Sequence, residues 1–291
     1  MDKMSYIDND QEIVIEAVPL TREAFAPFGD VVENPRPDLH PSRTDPASSA
    51  LPFNAVIANQ GSAIKYQHVS RQVNLYDQAP SGRPGSAIMS MFVCAARARI
   101  PDPPPAAGVG PARNAVPEPQ LPSVFPVAVL ERHPYTTQTF VPLTSDPVAR
   151  YLVIVAPTLP VAPEEASNGG VLPVPTSVPP STGYPRQLPG GGMPDLRRLR
   201  AFVANGTQAV TYGAGTWHAP MVALGEPGTA IDFVVVQFAN GVSIEDCQEV
   251  YLDGSGPGAG TGAEAGRKRK VSVALKPLLG TEGRTRNKAK L

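Results

Sequence analysis

Proline is the residue that most constrains how this chain of 291 residues can fold. The sequence contains 35 prolines, of which nine lie in 101–126 and ten in 157–194. Proline lacks the backbone N–H that a sheet interior requires, and its ring breaks helices. Neither segment shows helical or strand periodicity. We therefore expect long Pro-rich surface loops near 101–123 and 157–194, inserted into a fold that the rest of the chain builds.

The segments between these loops have the pattern of short strands. Apolar or alternating runs, separated by turn signals such as "ANG" and "GAG", occupy 12–20, 87–98, 127–134, 137–143, 149–157, 199–205, 209–215 and 230–238. Many short strands with turns between them are typical of an antiparallel β-barrel or sandwich. Helical signals are few. Thr21 is a predicted N-cap of one short helix that stops at Pro27, and Asp195 is predicted to cap a single turn.

The C-terminal segment differs in charge from the rest of the chain. From Glu264 onward there are nine Lys or Arg and two Glu, which leaves 16 basic and 24 acidic residues before it. We predict one domain over 1–252, and a Gly-rich linker with a disordered basic tail over 253–291. Because the body is acidic, we expect no nucleic-acid surface on it. The run "RKRK" at 267–270 has the composition of a nuclear-import patch or of a solvated tail.

Cysteine use and hydropathy predict a cytoplasmic protein. The two cysteines, Cys94 and Cys247, are far apart and lack the spacing of zinc ligands or of a disulfide framework. The sequence "MDKMSYIDNDQEI" contains no apolar run, so we expect no signal peptide. No apolar stretch reaches the ~18 residues that a membrane span requires.

The four histidines separate into two groups. His40 lies in a polar, Pro-bounded stretch that is typical of an exposed loop. For His68 both a structural role and a place in a site remain open. His133 and His218 differ, because each lies at the edge of a predicted strand and has polar neighbours at strand spacing. These two are the candidate functional imidazoles.

The blocks around these two histidines resemble the two motifs of the cupin barrel. Glu131, His133 and Gln138 stand where the first motif has His-x-His and a later Glu, and Gly215 and His218 match the Gly-x-x-His of the second. In metal-binding cupins the four polar side chains bind one divalent ion. The resemblance therefore implies a metal site formed by Glu131, His133, Gln138 and His218, with oxygen donors at two positions. The alternative is a metal-free pocket in which His218 carries a proton.

Four ordered blocks extend this resemblance to one family. They are "PLTREAFAPFGDVVE", "LERHPYTTQTFVPL", "PDLRRLRAFVANGTQAVTYGAGTWHAPM" and "IDFVVVQF". In identity and spacing they resemble ureidoglycolate lyase, over roughly 12–33, 54–100, 124–157 and 193–252. The resemblance implies cleavage of ureidoglycolate to glyoxylate and urea in the breakdown of purine-derived ureides such as allantoin. It also implies a homodimer.

This reaction assigns hypothetical roles to proton-transfer residues. A base must take the hydroxyl proton as the carbonyl forms, and an acid must protonate the departing ureido nitrogen. His218 is the first choice for proton transfer, since an imidazole titrates near neutral pH. His133 is the second, unless both histidines hold a metal. Tyr212 is a further candidate donor from a neighbouring strand end.

Substrate contacts are assigned in the same way. Gln138 is expected to hydrogen-bond the ureido group. Lys65, Arg71 or Arg132 would pair with the carboxylate, and Lys65 is preferred because Arg132 alternates with the site residues along its strand. Trp217 either packs against the barrel mouth or shapes the substrate pocket.

Two other functional classes remain open from the sequence. One is a different cupin enzyme for a small acid, such as a metal-dependent isomerase or dioxygenase. The other is a non-catalytic small-molecule binder whose basic tail contacts DNA. Glyoxylate release from ureidoglycolate separates the lyase from both.

Overall fold

A computed structural model describes residues 5–6, 12–43, 51–97, 100–101, 123–144, 146, 148–161, 171–252 and 271–275. The strands are β1 (Ser5–Tyr6), β2 (Ile13–Pro19), β3 (Gly29–Val32), β4 (Ala55–Ala58), β5 (Ala63–Tyr66), β6 (Ser86–Ala95), β7 (Ile100–Pro101), β8 (Ser123–Pro126), β9 (Val129–Arg132), β10 (Gln138–Pro142), β11 (Arg150–Ala156), β12 (Arg200–Asn205), β13 (Ala209–Tyr212), β14 (Trp217–His218), β15 (Val222–Leu224), β16 (Ala230–Ala239), β17 (Gln248–Tyr251) and β18 (Val271–Leu275). The helices are α1 (Arg22–Phe25) and α2 (Ser243–Asp246), with 3-10 turns at Pro41–Arg43, Asn59–Gly61, Tyr76–Gln78, Pro180–Thr182 and Leu196–Arg198. The predicted mainly-β class is confirmed.

The larger sheet has eleven strands and curls until both of its ends reach the same core. Its order is β1-β17-β9-β14-β11-β12-β2-β18-β8-β7, with β15 beside β11. Leu130 and Val250 come from one end of this order, and Phe125 and Val273 come from the other, yet all four belong to one buried cluster. Most neighbours are antiparallel, as predicted. The pairs β1–β17, β2–β12 and β2–β18 are parallel, which the sequence pattern did not indicate.

A second core lies between this sheet and a five-stranded one, whose order is β3-β13-β10-β16-β6. Phe140 and Phe233 of the smaller sheet pack there against Tyr151 of the larger sheet. Strand β11 serves both cores, because successive side chains point to opposite faces. Ile154 joins the first core and Val155 the second. The candidate site described below lies between the two sheets.

Strand β6 forms one edge of the smaller sheet, and β16 is its only neighbour in the sheets of the described chain. Its inner side contributes Phe92, whose ring packs 5.7 Å from that of Phe140. Its outer side is apolar and open, since Met89, Met91 and Val93 are 73%, 58% and 70% exposed. A long apolar edge of this kind is a liability unless another chain covers it.

Both predicted caps are confirmed. Thr21 Oγ1 accepts a hydrogen bond from the backbone N–H of Ala24 at 3.2 Å, at the start of α1. Asp195 Oδ1 accepts from the N–H of Arg197 at 3.1 Å and begins the 3-10 turn Leu196–Arg198. A side-chain oxygen at these positions satisfies N–H groups that the first turn leaves unpaired.

The prediction of a disordered tail over 253–291 is wrong for five residues. Val271–Leu275 forms β18, which pairs with β2 and β8. Val271, Val273 and Leu275 are buried in the first core. The alternation of apolar residues in "VSVAL" is a strand signal, but the flanking glycines and basic residues masked it. The basic run at 267–270 lies outside the described residues.

The second Pro-rich loop is irregular, as predicted, but it packs tightly against the domain. Within 157–161 and 171–194 the structure has a single 3-10 turn and the isolated bridge Thr158↔Pro194. Leu172 and Met193 pack against the first core. Most of the first loop, at 102–122, lies outside the described residues. Among the described residues, no helix combines the length and the apolar character that crossing a membrane requires.

Candidate active site

Glu131 and His218 form a cross-strand pair at the centre of the site. The register of β9 and β14 places them directly opposite each other, so their side chains leave the same face of the sheet. Glu131 Oε1 lies 3.5 Å from His218 Nε2. His218 Nδ1 lies 2.9 Å from the carbonyl oxygen of Thr216. Because a carbonyl only accepts, Nδ1 carries the hydrogen and Nε2 faces the site.

His218 Nε2 faces two oxygen atoms of the site. Besides Glu131, the amide oxygen of Gln138 lies 3.2 Å from this nitrogen. Two oxygen acceptors around one ring nitrogen are satisfied when that nitrogen bears a hydrogen. Burial raises the pKa of Glu131, but the hydrogen bond and the electrostatic interaction with His218 act against it, and this pKa lies below its usual value. The carboxylate is therefore ionised and paired at neutral pH.

His133 presents the opposite case, a neutral imidazole with a free lone pair. Its Nδ1 donates to the carbonyl oxygen of Asp246 at 2.6 Å. Its Nε2 is buried and has no hydrogen-bond partner in the described part of the chain. Burial, followed by the charge of His218, lowers the pKa of His133. The His133 ring lies 5.5 Å from the His218 ring. A proton or a metal bound to His133 Nε2 would therefore lie close to His218.

Three side chains of this cluster fit a divalent metal. Glu131, His133 and His218 each offer a ligand atom, and these atoms lie within 4.8 Å of one another. Both histidines donate Nδ1–H to a backbone carbonyl, the outer contact that usually orients a metal-bound imidazole. Three protein ligands with an open position are typical of catalytic zinc sites. Gln138, the fourth predicted ligand, donates its Nε2–H to Gln237, and its Oε1 lies 3.2 Å from His218 Nε2.

A cavity of about 290 Å³ opens beside this cluster. Its lining comprises Ser90, Phe92, Cys94, Glu131, His133, Gln138, Phe140, Pro220, Met221, Val235 and Gln237. Gln237 was not predicted. Its amide oxygen accepts from Gln138 Nε2 at 2.6 Å. The available signal was a single polar residue interrupting the apolar run "FVVVQF" of β16, which alone does not distinguish a site residue from a solvated one.

Arg132 and Trp217 lie on the other face of the sheet, away from the cavity. The Arg132 guanidinium is fully buried, donates to Gln248 Oε1 at 2.8 Å, and lies 4.4 Å from the centre of the Trp217 ring. It also donates to the carbonyls of Gly190, Gly191 and Gly192. Trp217 Nε1 donates to Gly192 as well. Both side chains therefore pack on this face, which is the arrangement that the strand spacing of Arg132 indicated and one of the two alternatives for Trp217.

The predicted partner of the substrate carboxylate is also absent from the cavity. Lys65 is exposed on the separate β4–β5 hairpin, and Arg71 is exposed on the following loop. His40 and His68 are exposed too. Among the described residues, the cavity lining contains no Lys or Arg. Among the described residues, the histidine cluster is therefore the part of the cavity wall that can carry positive charge.

Tyr212 lies behind His218 rather than in the cavity lining. The two rings are stacked, with centroids 4.0 Å apart. The Tyr212 hydroxyl is buried and has no hydrogen-bond partner. Burial, with smaller effects of Tyr151 and Glu131, raises its pKa well above the usual value. This environment suits a ring that supports His218, and it disfavours proton release from the hydroxyl.

Comparison with known proteins agrees with this geometry. The family model described as ureidoglycolate lyase matches residues 12–256. A ureidoglycolate lyase of Schizosaccharomyces pombe is 34% identical over 236 residues, which is 80% of this chain and 89% of that protein. One of Saccharomyces cerevisiae is 32% identical over 83% of this chain and 96% of its own length. One of Burkholderia mallei is 30% identical over 75% and 78%.

The matched range includes both histidine blocks and every residue of the cavity lining. It ends before β18, which begins at Val271. The chain therefore belongs to the ureidoglycolate lyase family.

Proposed function

We propose that this protein cleaves ureidoglycolate to glyoxylate and urea. The observation that carries the proposal is the site itself: the buried Nε2 of His133, which has no partner among the described residues, stands beside the Glu131–His218 pair. Family membership supports the same activity. The reaction consumes no water and therefore needs a base and an acid rather than a nucleophile.

In the proposed mechanism, His133 Nε2 takes the proton of the substrate hydroxyl. The C–O bond gains double-bond character as the C–N bond breaks, and the electron pair of that bond goes to the ureido nitrogen. The Glu131–His218 pair then donates its shared proton to this nitrogen, and urea leaves. One proton has been taken and one returned. Since the three side chains lie within 4.8 Å of one another, the proton on His133 can pass back to the pair before the next turnover.

A divalent metal is the proposed alternative occupant of this cluster. Glu131, His133 and His218 would hold it, and the ion would supply the positive charge that polarises the hydroxyl and carboxylate oxygens. Other residues of the protein would then orient the metal ligands. The carbonyls of Thr216 and Asp246 hold the two rings in place.

The Gln138–Gln237 amide pair is the proposed contact for the ureido group. Gln138 Nε2 donates to Gln237 Oε1, and Gln237 also lines the cavity, so we expect its Nε2 group to donate to a substrate carbonyl. Such a contact fits a neutral ureido end, while the carboxylate end turns toward the histidine cluster. The ureido end of the substrate would thus face the two glutamines, and the carboxylate end would face the histidines.

We also propose a cytoplasmic homodimer in which the edge of β6 pairs with a second copy. Both cysteines are free thiols, which suits a reducing compartment. The open edge carries the exposed apolar side chains Met89, Met91 and Val93. Light scattering tests the dimer: Met91→Lys should yield monomers, whereas Val148→Lys, at a position that is 73% exposed outside the sheets, should not. Monomeric wild-type protein would overturn it.

A coupled assay of glyoxylate and urea tests the activity. Purified protein should release both products in equal amounts, and His133→Ala should lower kcat by about 10²–10⁴-fold while circular dichroism shows an intact fold. His40→Gln, an exposed histidine, is the matched control and should retain full turnover. Ammonia without urea, or no product, would contradict the proposal. Repeating the assay after chelation and metal analysis distinguishes the metal-bound from the metal-free site.

A further inference from the structure

A second cavity, of about 650 Å³, lies outside the candidate active site. We name it the arginine cleft, and it is lined by Val18, Ala24, Pro27, Phe28, Ala156, Pro157, Thr158, Gln187, Leu188, Pro189, Arg198, Arg200, Phe202 and Thr216. None of these residues lines the cavity beside His133. The volume is within the range typical of small-molecule sites and exceeds what ureidoglycolate would fill.

The charged side chains that the described chain contributes to the lining of the arginine cleft are both basic. They are Arg198 and Arg200. Neither guanidinium has a hydrogen bond or an ion pair with another described residue, whereas Arg36 and Arg186 are each paired with an aspartate. Asp195, the nearest acid along the chain, accepts from the backbone of the 3-10 turn. Two exposed cations therefore share one cleft without a counter-charge from the described chain.

The local fold holds these two arginines in place. The Asp195 cap begins the turn that ends at Arg198, and β12 begins at Arg200. Between them Leu199 is 3% exposed and anchors the segment in the first core. The backbone under both guanidinium groups is thus rigid. A planar guanidinium on a fixed base can bind a carboxylate or phosphate through two parallel hydrogen bonds.

The remaining walls favour an organic body over a bare ion. Phe28 and Phe202 form a buried aromatic floor, and Leu188 and Pro189 stand beside it. The hydroxyl of Thr158 also belongs to the lining, and its oxygen is buried without a hydrogen-bond partner. Unpaired buried hydroxyls are uncommon, since each carries a desolvation cost. This one offers a polar contact among apolar walls.

We propose that the arginine cleft is a second binding site, which takes an organic anion with its carboxylate or phosphate on Arg198 and Arg200 and its apolar body on Phe28 and Phe202. This assignment does not rest on the lyase activity. The cleft does adjoin the active site, because Thr216 lines it and accepts the Nδ1–H of His218.

Calorimetric titration with benzene-1,3-dicarboxylate, phenyl phosphate and neutral benzamide tests the proposal on the full chain. At least one anion should bind with an affinity that falls as salt rises, and benzamide should bind more weakly. The comparison of the two anions shows which anionic group the site takes. Arg198→Gln/Arg200→Gln should weaken anion binding by about tenfold or more, because two charge-assisted contacts are lost.

Two matched variants complete the test. Arg43→Gln/Arg197→Gln removes the same charge from exposed positions outside the cleft and should leave the affinity unchanged. His133→Ala should also bind normally, which separates this site from the catalytic cavity. The proposal is overturned if neither anion binds at concentrations of about 10 mM, if the Arg198/Arg200 variant binds as tightly as wild type, or if His133→Ala abolishes binding.

Discussion

The imidazole of His218 lies flat against the phenol ring of Tyr212, with centroids 4.0 Å apart and ring planes inclined by 12°. On its other sides the Tyr212 ring packs edge-on against Phe25 and Phe140. The second core thus extends directly to the catalytic cluster. This stacking fixes the plane of His218 so that Nε2 points to Glu131.

The stacking predicts that the ring of Tyr212 matters more than its hydroxyl. Tyr212→Phe keeps the ring and removes a buried oxygen that has no partner, so stability should stay equal or rise by about 1 kcal/mol, with turnover nearly unchanged. Tyr212→Leu removes the stack and should lower kcat strongly. Steady-state kinetics with thermal denaturation measures both. A large loss of kcat in Tyr212→Phe would instead make the hydroxyl a proton donor.

Arg132 is expected to contribute to stability and not to substrate affinity. Burial lowers the pKa of Arg132 to about 9. The N–H groups of its guanidinium donate to the side-chain oxygen of Gln248 and to three glycine carbonyls. Arg132→Met leaves these buried acceptors unpaired and should cost about 3 kcal/mol or more in the free energy of unfolding. Chemical denaturation gives this value, with Arg43→Met as an exposed control. A raised KM at unchanged stability would instead indicate that Arg132 binds the substrate.

Glu245 should make part of the stability depend on pH. Burial raises the pKa of its carboxyl, but hydrogen bonds from Ser81 and Asn240 outweigh this and hold the pKa below its usual value. A carboxyl with a depressed folded-state pKa stabilises the protein above the unfolded value of about 4.3, and this contribution disappears as pH falls through the folded-state value.

Glu245→Gln should therefore be less stable than wild type at pH 7, by about 1–3 kcal/mol, and this difference should shrink below about pH 4. Urea denaturation across this pH range measures it. Glu226→Gln, at an exposed position, is the control and should follow the wild-type curve. A stability difference that is constant with pH would show that the carboxylate charge contributes nothing.

Strand β18 should be part of the folded core although it lies far beyond the last site residue. Val273 is fully buried between β2 and β8, so Val273→Ala should cost about 2 kcal/mol and Val273→Asp should prevent folding. Ala274→Ser, on the half-buried side of the same strand, should cost much less. Thermal melts compare the three variants. A Val273→Asp protein as stable as wild type would show that β18 does not contribute to the folded core.

The two histidine blocks of the candidate site could be identified from short-range signals, whereas the surroundings of these blocks could not. His133 and Glu131 share a strand face by spacing alone, and Gly215 has a positive φ of 75° that places His218 after a turn. Gln237 escaped prediction because its role depends on the register of β10 against β16. Lys65 does not line the cavity because β4 and β5 form a separate hairpin, which sequence distance does not show.

The sequence by itself determined the strands, the caps and the two histidine blocks, because alternation, turn residues and hydrogen-bonding side chains act over a few residues. Only the tertiary structure decided which faces meet. The curling of the large sheet brings β18 into the core, and the pairing of β9 with β14 sets Glu131 opposite His218. Pairings of this kind join residues far apart in the chain, and burial of the two cores as a whole selects them.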